Sequence, residues 1–361
     1  MAYYGESLSG FHLPFNFHLL STPWDSLMIA ELVREYEEAL PSGGWPNWVL
    51  GNHDRSRIAS RLGSSSAARL AAMLLLTVRG TPTIYYGDEL GMRDVEIPEE
   101  QIRDPWERRV PGQGLGRDPA RTPMRWTNEA NAGFTTGAPW LPVGDDVASV
   151  NVAAQREDAS STLSLHRALI LLRWRNPALR IGSYREVARS ASMLAYVREH
   201  EQRSILVVLN FSAKSLAVNL PELEGHVLLS THAGRRDERV RAETTLCANE
   251  GLVVALSSDS PRPPPRREWL DLALAVARCA SFSVRGNARV ARRQKERGAL
   301  ISGCPRCGRT RPIASAQAVA AQYRPNELFA ADRPTLAKST RQKCLVHAVA
   351  RLTKPTPSEY P

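Results

Sequence analysis

The sequence predicts an α/β fold followed by a small antiparallel β domain and a basic tail. Helical and strand-type segments alternate with short connections in the first part of the chain, which is the pattern of βα units around a parallel sheet. Short strand-type runs separated by turn-forming residues follow over 182–256. A proline-rich, basic stretch then opens the last part. We therefore divide the chain into residues 1–180, 181–258 and 259–361.

Composition and charge restrict the class of protein. A chain of 361 residues with 43% hydrophobic residues can bury a sizeable core and hold two domains. The net charge of +10 is confined to one end, because residues 259–361 hold 20 Lys and Arg against 7 Asp and Glu. The first 258 residues are slightly acidic, so their charge gives no support for a nucleic-acid partner.

Cysteine placement and the N-terminal sequence bear on the compartment. Four of the five cysteines lie in the basic tail, which does not suit a secreted disulfide framework. The first twenty residues have no cationic segment followed by an apolar one, and no apolar run of about 18 residues lies nearby. We therefore expect a cytoplasmic protein with no membrane partner.

The first helix and strand can be placed from their boundary residues. A helix is predicted from about Ser21, with Ser21 or Thr22 as its N-cap. Its apolar face holds Ile29, Val33, Tyr36 and Leu40. The run "WPNWVLG" at 45–51 follows as a short strand. That strand ends in three adjacent polar residues, Asn52, His53 and Asp54.

A second helix and strand repeat the order. Residues 67–78 have helical spacing with Gly80 as a stop, and "TPTIYYG" at 81–87 is strand-like. Residues 89–150 show little periodicity, which is typical of a long structured excursion that covers a site. Helical spacing returns over 161–175. In a parallel α/β arrangement the functional residues are expected at the carboxyl ends of the strands.

The tripeptide Asn52-His53-Asp54 alone is no more than a common turn sequence. Four further blocks follow it: "GTPTIYYGDELGM" at 80–92, "GRDPARTPMRW" at 116–126, "NAGFTTGAPWL" at 131–141 and "SVNVAAQREDASSTLSLHRALILLR" at 149–173. In this order the blocks resemble glycoside hydrolase family 13, the α-amylase family, and most closely its bacterial α-glucosidase and oligo-1,6-glucosidase branch. The resemblance covers about residues 1–256.

The resemblance implies the C-terminal part of a (β/α)8 TIM barrel, about three βα units, followed by a β-sandwich domain. It also implies retaining hydrolysis of α-1,4- or α-1,6-glucosidic bonds in an α-glucoside or a malto- or isomalto-oligosaccharide, with no cofactor. Matched to the family's motif, Asp54 is the transition-state stabiliser, and His53 and Arg57 are substrate-binding candidates. For Arg57 a salt bridge that holds the loop is the favoured alternative.

The chemistry explains why a carboxylate and an imidazole are needed in such a motif. The transition state of glycoside hydrolysis resembles an oxocarbenium ion, and hydrogen bonds to the neighbouring sugar hydroxyls strengthen as positive charge develops. An ionised carboxylate at Asp54 and an imidazole at His53 on the sugar edge would therefore bind the transition state more tightly than the substrate. Neither residue is the nucleophile or the general acid.

Two departures from the family matter. In relatives the nucleophilic Asp and the general-acid Glu precede the residues that resemble "AYYGESLSGFHLPFNFHLL", so we expect a truncated chain that is inactive alone. The other carboxylates considered, none of which is assigned to either role, are Glu6, Asp25, Asp88 and Glu89. The second departure is Arg125, which stands where relatives usually have Gln, and its charge would affect sugar preference if it pointed into the cleft.

The basic tail supports a rival hypothesis. Cys304, Cys307, Cys344 and His347 form a C-x2-C … C-x2-H set that suits tetrahedral zinc, as in a small module that binds nucleic acid. The gap between the pairs is long and few aromatic residues accompany the arginines. We favour no metal, and interpret 259–361 as a disordered segment or an out-of-frame extension with no counterpart in the family.

Overall fold

A computed structural model describes residues 1–220 and 224–256 of the chain. The predictions for 259–361, including disorder and the zinc set Cys304, Cys307, Cys344 and His347, lie outside the described residues. Of the helices within the described ranges, none combines the length and apolar character that crossing a bilayer requires.

The first part of the chain alternates helices with two short strands. The helices are α1 (His18–Ser21), α2 (Ser26–Ala39), α3 (Ile58–Arg61), α4 (Ser65–Thr77), α5 (Pro105–Arg109), α6 (Val152–Glu157), α7 (Thr162–Arg175) and α8 (Pro177–Ile181). The strands are β1 (Asn47–Val49) and β2 (Thr81–Thr83). They pair in parallel with Asn47 opposite Thr81, and Asn16 bridges Trp48 on the other side of β1. The residues between β2 and α6 form short turns and loops around α5, as the lack of periodicity predicted.

The long helices begin where a side chain satisfies a free backbone N–H. Ser64 accepts from the amide of Ala67 and Ser161 from that of Ser164. For α2 the predicted caps Ser21 and Thr22 are wrong, because the Asp25 carboxylate accepts from the amide of Met28. Ser21 and Thr22 instead donate their hydroxyls to carbonyls of the preceding turn, which closes α1.

The second part is an antiparallel β domain. Its strands are β3 (Ser183–Ser190), β4 (Met193–His200), β5 (Arg203–Asn210), β6 (Leu216–Asn219), β7 (Gly225–Ser230), β8 (Arg239–Val240), β9 (Glu243–Leu246) and β10 (Gly251–Leu256). Six of them form one sheet in the order β3-β4-β5-β10-β7-β8, while β6 pairs with β9. The predicted change from helices to antiparallel strands is present, and it falls between Ile181 and Ser183.

The central strands β4, β5 and β10 are apolar over most of their length because both faces of the sheet are covered. On one face Tyr196, Val207 and Val253 pack with the core of α2, α4 and α7. On the other face Val197 and Val208 pack with residues of the β6–β9 pair. The large sheet therefore joins the α/β part to the small sheet, and one apolar core runs through the first interface.

Close approach of α4 to the large sheet depends on a glycine. A Cβ at Gly251 would lie 2.6 Å from the Met73 sulfur and 2.9 Å from a Leu70 methyl, closer than carbon atoms pack. Arg69, on the same helix, donates from Nε and Nη2 to the Thr231 carbonyl at 3.1 and 2.8 Å. The helix is thus seated against the sheet by both packing and hydrogen bonds.

Two buried arginines donate hydrogen bonds to carbonyl groups at the C-terminal end of α4 and to carbonyl groups of neighbouring segments. Arg173 donates to the carbonyls of Leu76 and Val78, at 3.1 and 3.3 Å, and to that of Gly80. Arg198 donates to those of Thr77, Gly182 and Ser183 at 2.5, 2.8 and 2.9 Å. Burial lowers the pKa of both guanidinium groups. The positive charge lies at the negative end of the helix, which offsets part of that burial cost.

Asp88 is a buried carboxyl group where the strands β1 and β2 end. It follows β2, and a Cβ at Gly51, just beyond β1, would lie 2.5 Å from its Oδ2. Its Oδ1 has no hydrogen-bond partner among the described residues. Burial raises the pKa of Asp88 to about 7, although the positive charge of Arg57 acts against this. The group is therefore costly to ionise where it lies.

Replacement of Arg198 tests the role of the buried arginines. In Arg198→Met three carbonyls lose their donor, at roughly 1–3 kcal/mol for each buried group left unsatisfied, so we expect the free energy of unfolding to fall by about 3 kcal/mol or more. Urea unfolding followed by circular dichroism measures the change. Arg185→Met is the control, because Arg185 forms an exposed pair with Glu199 at 3.2 Å and we expect a change below about 1 kcal/mol. Equal effects of the two substitutions would contradict the assignment.

Replacement of Asp88 tests the cost of its burial. Because the folded-state pKa is raised, the folded protein retains a proton that the unfolded chain releases above its ordinary pKa of 3.8, so this group lowers stability as pH rises toward 7. We expect Asp88→Asn to melt at a higher temperature than the wild type at pH 8, with the difference shrinking at pH 5. The exposed Asp145→Asn is the matched control. A lower melting temperature of Asp88→Asn at pH 8 would refute this account.

Candidate functional site

The Asn-His-Asp motif lies in the loop that leaves the carboxyl end of β1. The Asn52 side-chain oxygen accepts from the Asp54 amide at 3.0 Å, a local turn that an asparagine supplies readily. The side chains of His53 and Asp54 are 59% and 47% exposed, and His53 Nε2 lies 3.4 Å from Asp54 Oδ1. The motif therefore presents an imidazole and a carboxylate side by side at the surface.

Two arginines from the loop after β2 complete the surroundings of Asp54. Arg117 Nη1 and Arg121 Nη2 each lie 3.1 Å from Asp54 Oδ1. Arg121 also donates from Nε to the His53 carbonyl at 2.8 Å. The two guanidinium groups thus hold the loop through the Asp54 carboxylate and through the His53 carbonyl. They also place positive charge beside the carboxylate.

Asp104 orients Arg117. Its carboxylate accepts from Arg117 Nε at 2.8 Å, from Nη2 at 2.9 Å and from the Arg117 amide at 2.7 Å. Hydrogen bonding from Arg117 holds the pKa of Asp104 well below its usual range. The Asp118 carboxylate in turn accepts from the amides of Arg103 and Asp104 at 2.6 and 2.7 Å. A bidentate pair of this kind leaves Arg117 Nη1 directed at Asp54.

Arg57 lies behind the motif. It is 1% exposed, donates from Nη1 to the Tyr86 carbonyl at 2.6 Å, and lies over the rings of Tyr85 and Tyr86 at 5.1 and 4.7 Å from their centroids. The expected ion pair with a carboxylate is not among the described contacts; a carbonyl and two aromatic faces hold the guanidinium instead. The Arg57 amide donates to Asp94 Oδ1 at 2.8 Å, which ties the loop to the segment after β2.

Arg61 fastens the base of the same loop. It donates to the carbonyls of Leu20 at 2.9 Å, Ser56 at 3.1 Å and Leu50. These carbonyls belong to the end of α1, to the loop and to the residue after β1. One side chain thus connects three segments at the base of the loop that carries the Asn-His-Asp motif.

None of the other carboxylates considered from the sequence contacts Asp54 in the described structure. Asp25 caps α2 and Asp88 is buried behind Gly51. Glu89 accepts from the Gly87 amide at 2.8 Å, and burial raises its pKa. Glu6 is exposed in a short N-terminal turn.

Arg125 does not face a cleft. Its side chain is 1% exposed and forms an ion pair with Asp146. Its charge is therefore neutralised within the long loop. The condition for an effect on sugar preference, an Arg125 side chain that points into a cleft, is therefore not met in the described structure.

Four residues around Asp54 were not predicted from the sequence: Arg117, Arg121, Asp104 and Arg61. Arg117 and Arg121 stand within the block "GRDPARTPMRW". Two arginines four residues apart around an acidic residue are a usable signal, but nothing in the sequence says which carboxylate they meet. In the described part of the chain no group of three His, Cys, Asp or Glu side chains could hold a metal ion.

Two protein-domain families match the chain. The catalytic domain of α-amylase matches residues 9–182, and the C-terminal domain of maltogenic amylase matches residues 185–245. The two matches adjoin at the change from helices to strands.

Curated relatives are about one third identical to this chain over the residues that align. A probable alpha-glucosidase of Rhizobium meliloti (strain 1021) is 34% identical over 212 residues, which are 56% of this chain and 38% of the relative. An oligo-1,6-glucosidase of Parageobacillus thermoglucosidasius is 32% identical over 233 residues, 58% of this chain and 41% of the relative. The amino acid transporter heavy chain SLC3A1 of Rattus norvegicus is 36% identical over 268 residues, 70% of this chain and 38% of the relative. The chain thus spans about two fifths of the length of these relatives.

The fold of the chain is also similar to that of a solved enzyme structure. The alpha-glucosyl transfer enzyme XgtA superposes with a TM-score of 0.63 at 30% identity, covering 70% of this chain and 48% of XgtA. The two domain matches follow one another in the order of the observed fold, and the loop after β1 carries the Asn-His-Asp motif. The chain belongs to the α-amylase family, glycoside hydrolase family 13.

Proposed function

We propose that residues 1–256 form the C-terminal part of a retaining α-glucosidase that acts on α-1,4- or α-1,6-linked glucose. The observation that carries the proposal is the exposed His53–Asp54 pair, held at the end of β1 by Arg117 and Arg121. The names of the glucosidase relatives support glucosidic substrates. The cytoplasm remains the expected compartment.

In the proposed reaction Asp54 stabilises the transition state. Positive charge develops at the anomeric carbon, and a carboxylate that binds the neighbouring hydroxyls gains interaction energy as it develops. His53 would donate a hydrogen bond to a hydroxyl on the same sugar edge. Arg117 and Arg121 keep Asp54 Oδ1 in place, so that little reorganisation is needed when the charge forms. Arg57, because it is buried, would act by supporting the loop rather than by direct contact with sugar.

We also propose that the chain has no turnover by itself. Retaining hydrolysis needs a nucleophile and a general acid whose carboxyl groups lie about 5–5.5 Å apart across the bond that breaks. The described residues offer no second carboxylate in contact with Asp54. The pairing of β1 and β2 also leaves a parallel sheet much smaller than a closed barrel requires.

The exposed surface near the edge of the β1–β2 sheet supports the proposal that further barrel units pack there. Phe11, Phe15 and Phe17 flank Asn16, the residue that bridges β1, and they are 69%, 56% and 48% exposed. Large aromatic side chains at an open parallel edge are normally covered by the next βα unit. In the family, the segments that precede those matched here would supply that cover together with the two remaining carboxylates.

The alternative is a sugar-binding role without catalysis. A relative named as a transporter heavy chain is as similar to this chain as the glucosidases are, so similarity at this level does not by itself imply hydrolysis. The rival hypothesis for 259–361, a basic zinc or nucleic-acid module, concerns residues outside those described.

An activity assay with and without the rest of a barrel tests the proposal. We expect purified residues 1–361 to release no glucose from maltose or isomaltose, since general acid–base assistance alone is worth about 10²- to 10⁴-fold in rate. A fusion with the preceding barrel units of the Rhizobium meliloti relative should release glucose, and Asp54→Asn in that fusion should remove the activity. Glucose release by the unfused chain would overturn the proposed lack of turnover.

Binding of glucose to the unfused chain tests the sugar site separately. We expect weak binding, detected by ligand-observed NMR, that Asp54→Ala abolishes because the acceptor for two sugar hydroxyls is lost. Asp145→Ala, an exposed carboxylate in the long loop, should bind glucose as the wild type does. Equal binding by all three proteins would argue against a sugar site at Asp54.

A further inference from the structure

Two buried side chains near the Asn-His-Asp loop have complementary chemistry and incomplete hydrogen bonding. Asp88 Oδ1 has no hydrogen-bond partner among the described residues, and the same holds for Arg57 Nε and Nη2. Both side chains are buried. Polar groups enclosed by protein are normally paired, so an acceptor and two donors that are all unpaired call for an explanation.

The two side chains belong to different segments that meet where β1 and β2 end. Arg57 lies in the loop after β1, and its Nη1 donates to the Tyr86 carbonyl at 2.6 Å. A Cβ at Gly87 would lie 2.6 Å from the same Nη1, so the guanidinium group lies against the two residues that precede Asp88. A Cβ at Gly51 would lie 2.5 Å from Asp88 Oδ2. The carboxyl group and the guanidinium group are therefore packed into the same junction between the two loops.

The carboxyl group of Asp88 changes its charge close to neutral pH. Burial raises the pKa of Asp88 to about 7, and the charge of Glu89 adds to the increase. Arg57, from the loop after β1, and Arg61, from α3, act in the opposite direction. Asp88 is therefore neutral in mildly acidic solution and ionised in mildly basic solution, while the arginines remain charged throughout.

The other groups around Arg57 do not neutralise it by direct contact. Its guanidinium group lies over the rings of Tyr85 and Tyr86. Burial raises the pKa of the Tyr85 hydroxyl, which therefore stays neutral. Asp94 accepts from the Arg57 amide and from the Ser56 hydroxyl rather than from the guanidinium group. An ionised Asp88 would thus be the first carboxylate to pair with this guanidinium group.

We propose that Asp88 and Arg57 form a proton-operated latch between the loop after β1 and the segment after β2. When Asp88 is protonated, Arg57 is held by the Tyr86 carbonyl and the two tyrosine rings, as in the described structure. When Asp88 releases its proton to solvent, its carboxylate accepts from Arg57 Nε or Nη2. The new ion pair ties the two segments together and offsets part of the cost of the buried charge.

The latch acts on the Asn-His-Asp motif because Arg57 stands three residues beyond Asp54 in the same loop. Closing the latch adds a side-chain tie at the rear of this loop, while Arg117 and Arg121 hold its front. The latch itself does not depend on the proposed sugar site. Its consequence for that site, a loop that is more firmly held above pH 7 than below it, does rest on the proposed function.

An NMR titration of the full chain from about pH 5 to about pH 9 tests the latch. With ¹³C-labelled Asp and ¹⁵N-labelled Arg, the Asp88 carboxyl carbon should titrate with a midpoint near pH 7. The Arg57 Nε resonance, assigned by its loss in Arg57→Lys, should shift with the same midpoint, because its N–H gains a charged acceptor. Asp88→Asn, which has no proton to release in this range, should lose the Arg57 shift.

Two control variants separate Asp88 from its titrating neighbours. In Glu89→Gln the Arg57 shift should remain, with its midpoint at lower pH because the charge that raises the pKa of Asp88 is gone. In His53→Gln the shift should also remain, which excludes an imidazole as its source, since imidazole groups titrate in the same range.

The outcomes distinguish the latch from a carboxyl group that is merely buried. If Asp88 titrates near pH 7 and the Arg57 Nε resonance does not respond, no ion pair forms and the latch is overturned. An Arg57 shift that persists in Asp88→Asn would overturn it as well, by assigning the shift to another group. Glucose binding and its loss in Asp54→Ala are measured separately, so failure of the sugar site would leave this result unchanged.

Discussion

The end of α4 is the point on which the described structure depends. A helix that finishes inside the molecule leaves carbonyl groups without partners, and water cannot reach them there. Arg173 and Arg198 supply the missing donors, one from a helix of the α/β part and one from a strand of the β domain. The same interaction therefore satisfies the helix and fastens the two parts of the chain together. Apolar packing of Leu70 and Met73 over Gly251 adds area to the interface, but the hydrogen bonds set its orientation.

The candidate site shows the same use of arginine at a smaller scale. Arg61 holds the base of the loop through backbone carbonyls, and Arg117 and Arg121 hold its tip through Asp54 and His53. Asp104 keeps Arg117 in one orientation by a paired hydrogen bond. The motif is thus a short turn supported from several sides rather than a flexible loop. Such preorganisation is what electrostatic stabilisation of a transition state requires, because the groups need not move as charge develops.

Under the proposed function, the arrangement at Asp54 would account for one part of a glycosidase site. A carboxylate and an imidazole at the end of a strand can stabilise charge on a sugar, but leaving-group protonation and covalent attack need two more carboxyl groups. Under the proposed function, further barrel units would pack on the face that carries the exposed aromatic residues near Asn16 and the two-stranded parallel sheet. Under the proposed function, catalysis and barrel closure would depend on the same contacts, whereas sugar binding at Asp54 would not require them to the same degree.

Local pattern was enough to predict the order of the elements, the change to an antiparallel domain and the family, because periodicity, turn residues and an ordered set of motifs are all written along the chain. Asp54 and His53 could be singled out for the same reason. Their partners could not: Arg117 and Arg121 lie more than sixty residues away, and only folding decides which carboxylate they meet. Arg57 and Arg125 differ from their predicted positions in the opposite way. The sequence suggested that each could contact substrate, but both side chains are buried. Ser21 or Thr22 was likewise predicted as the N-cap of α2, but both hydroxyls donate to carbonyls of the preceding turn. Asp25 is the N-cap instead. Residue types and spacing thus determined which chemical groups are present, and tertiary packing decided which of them are exposed beside Asp54 and which hold the protein together.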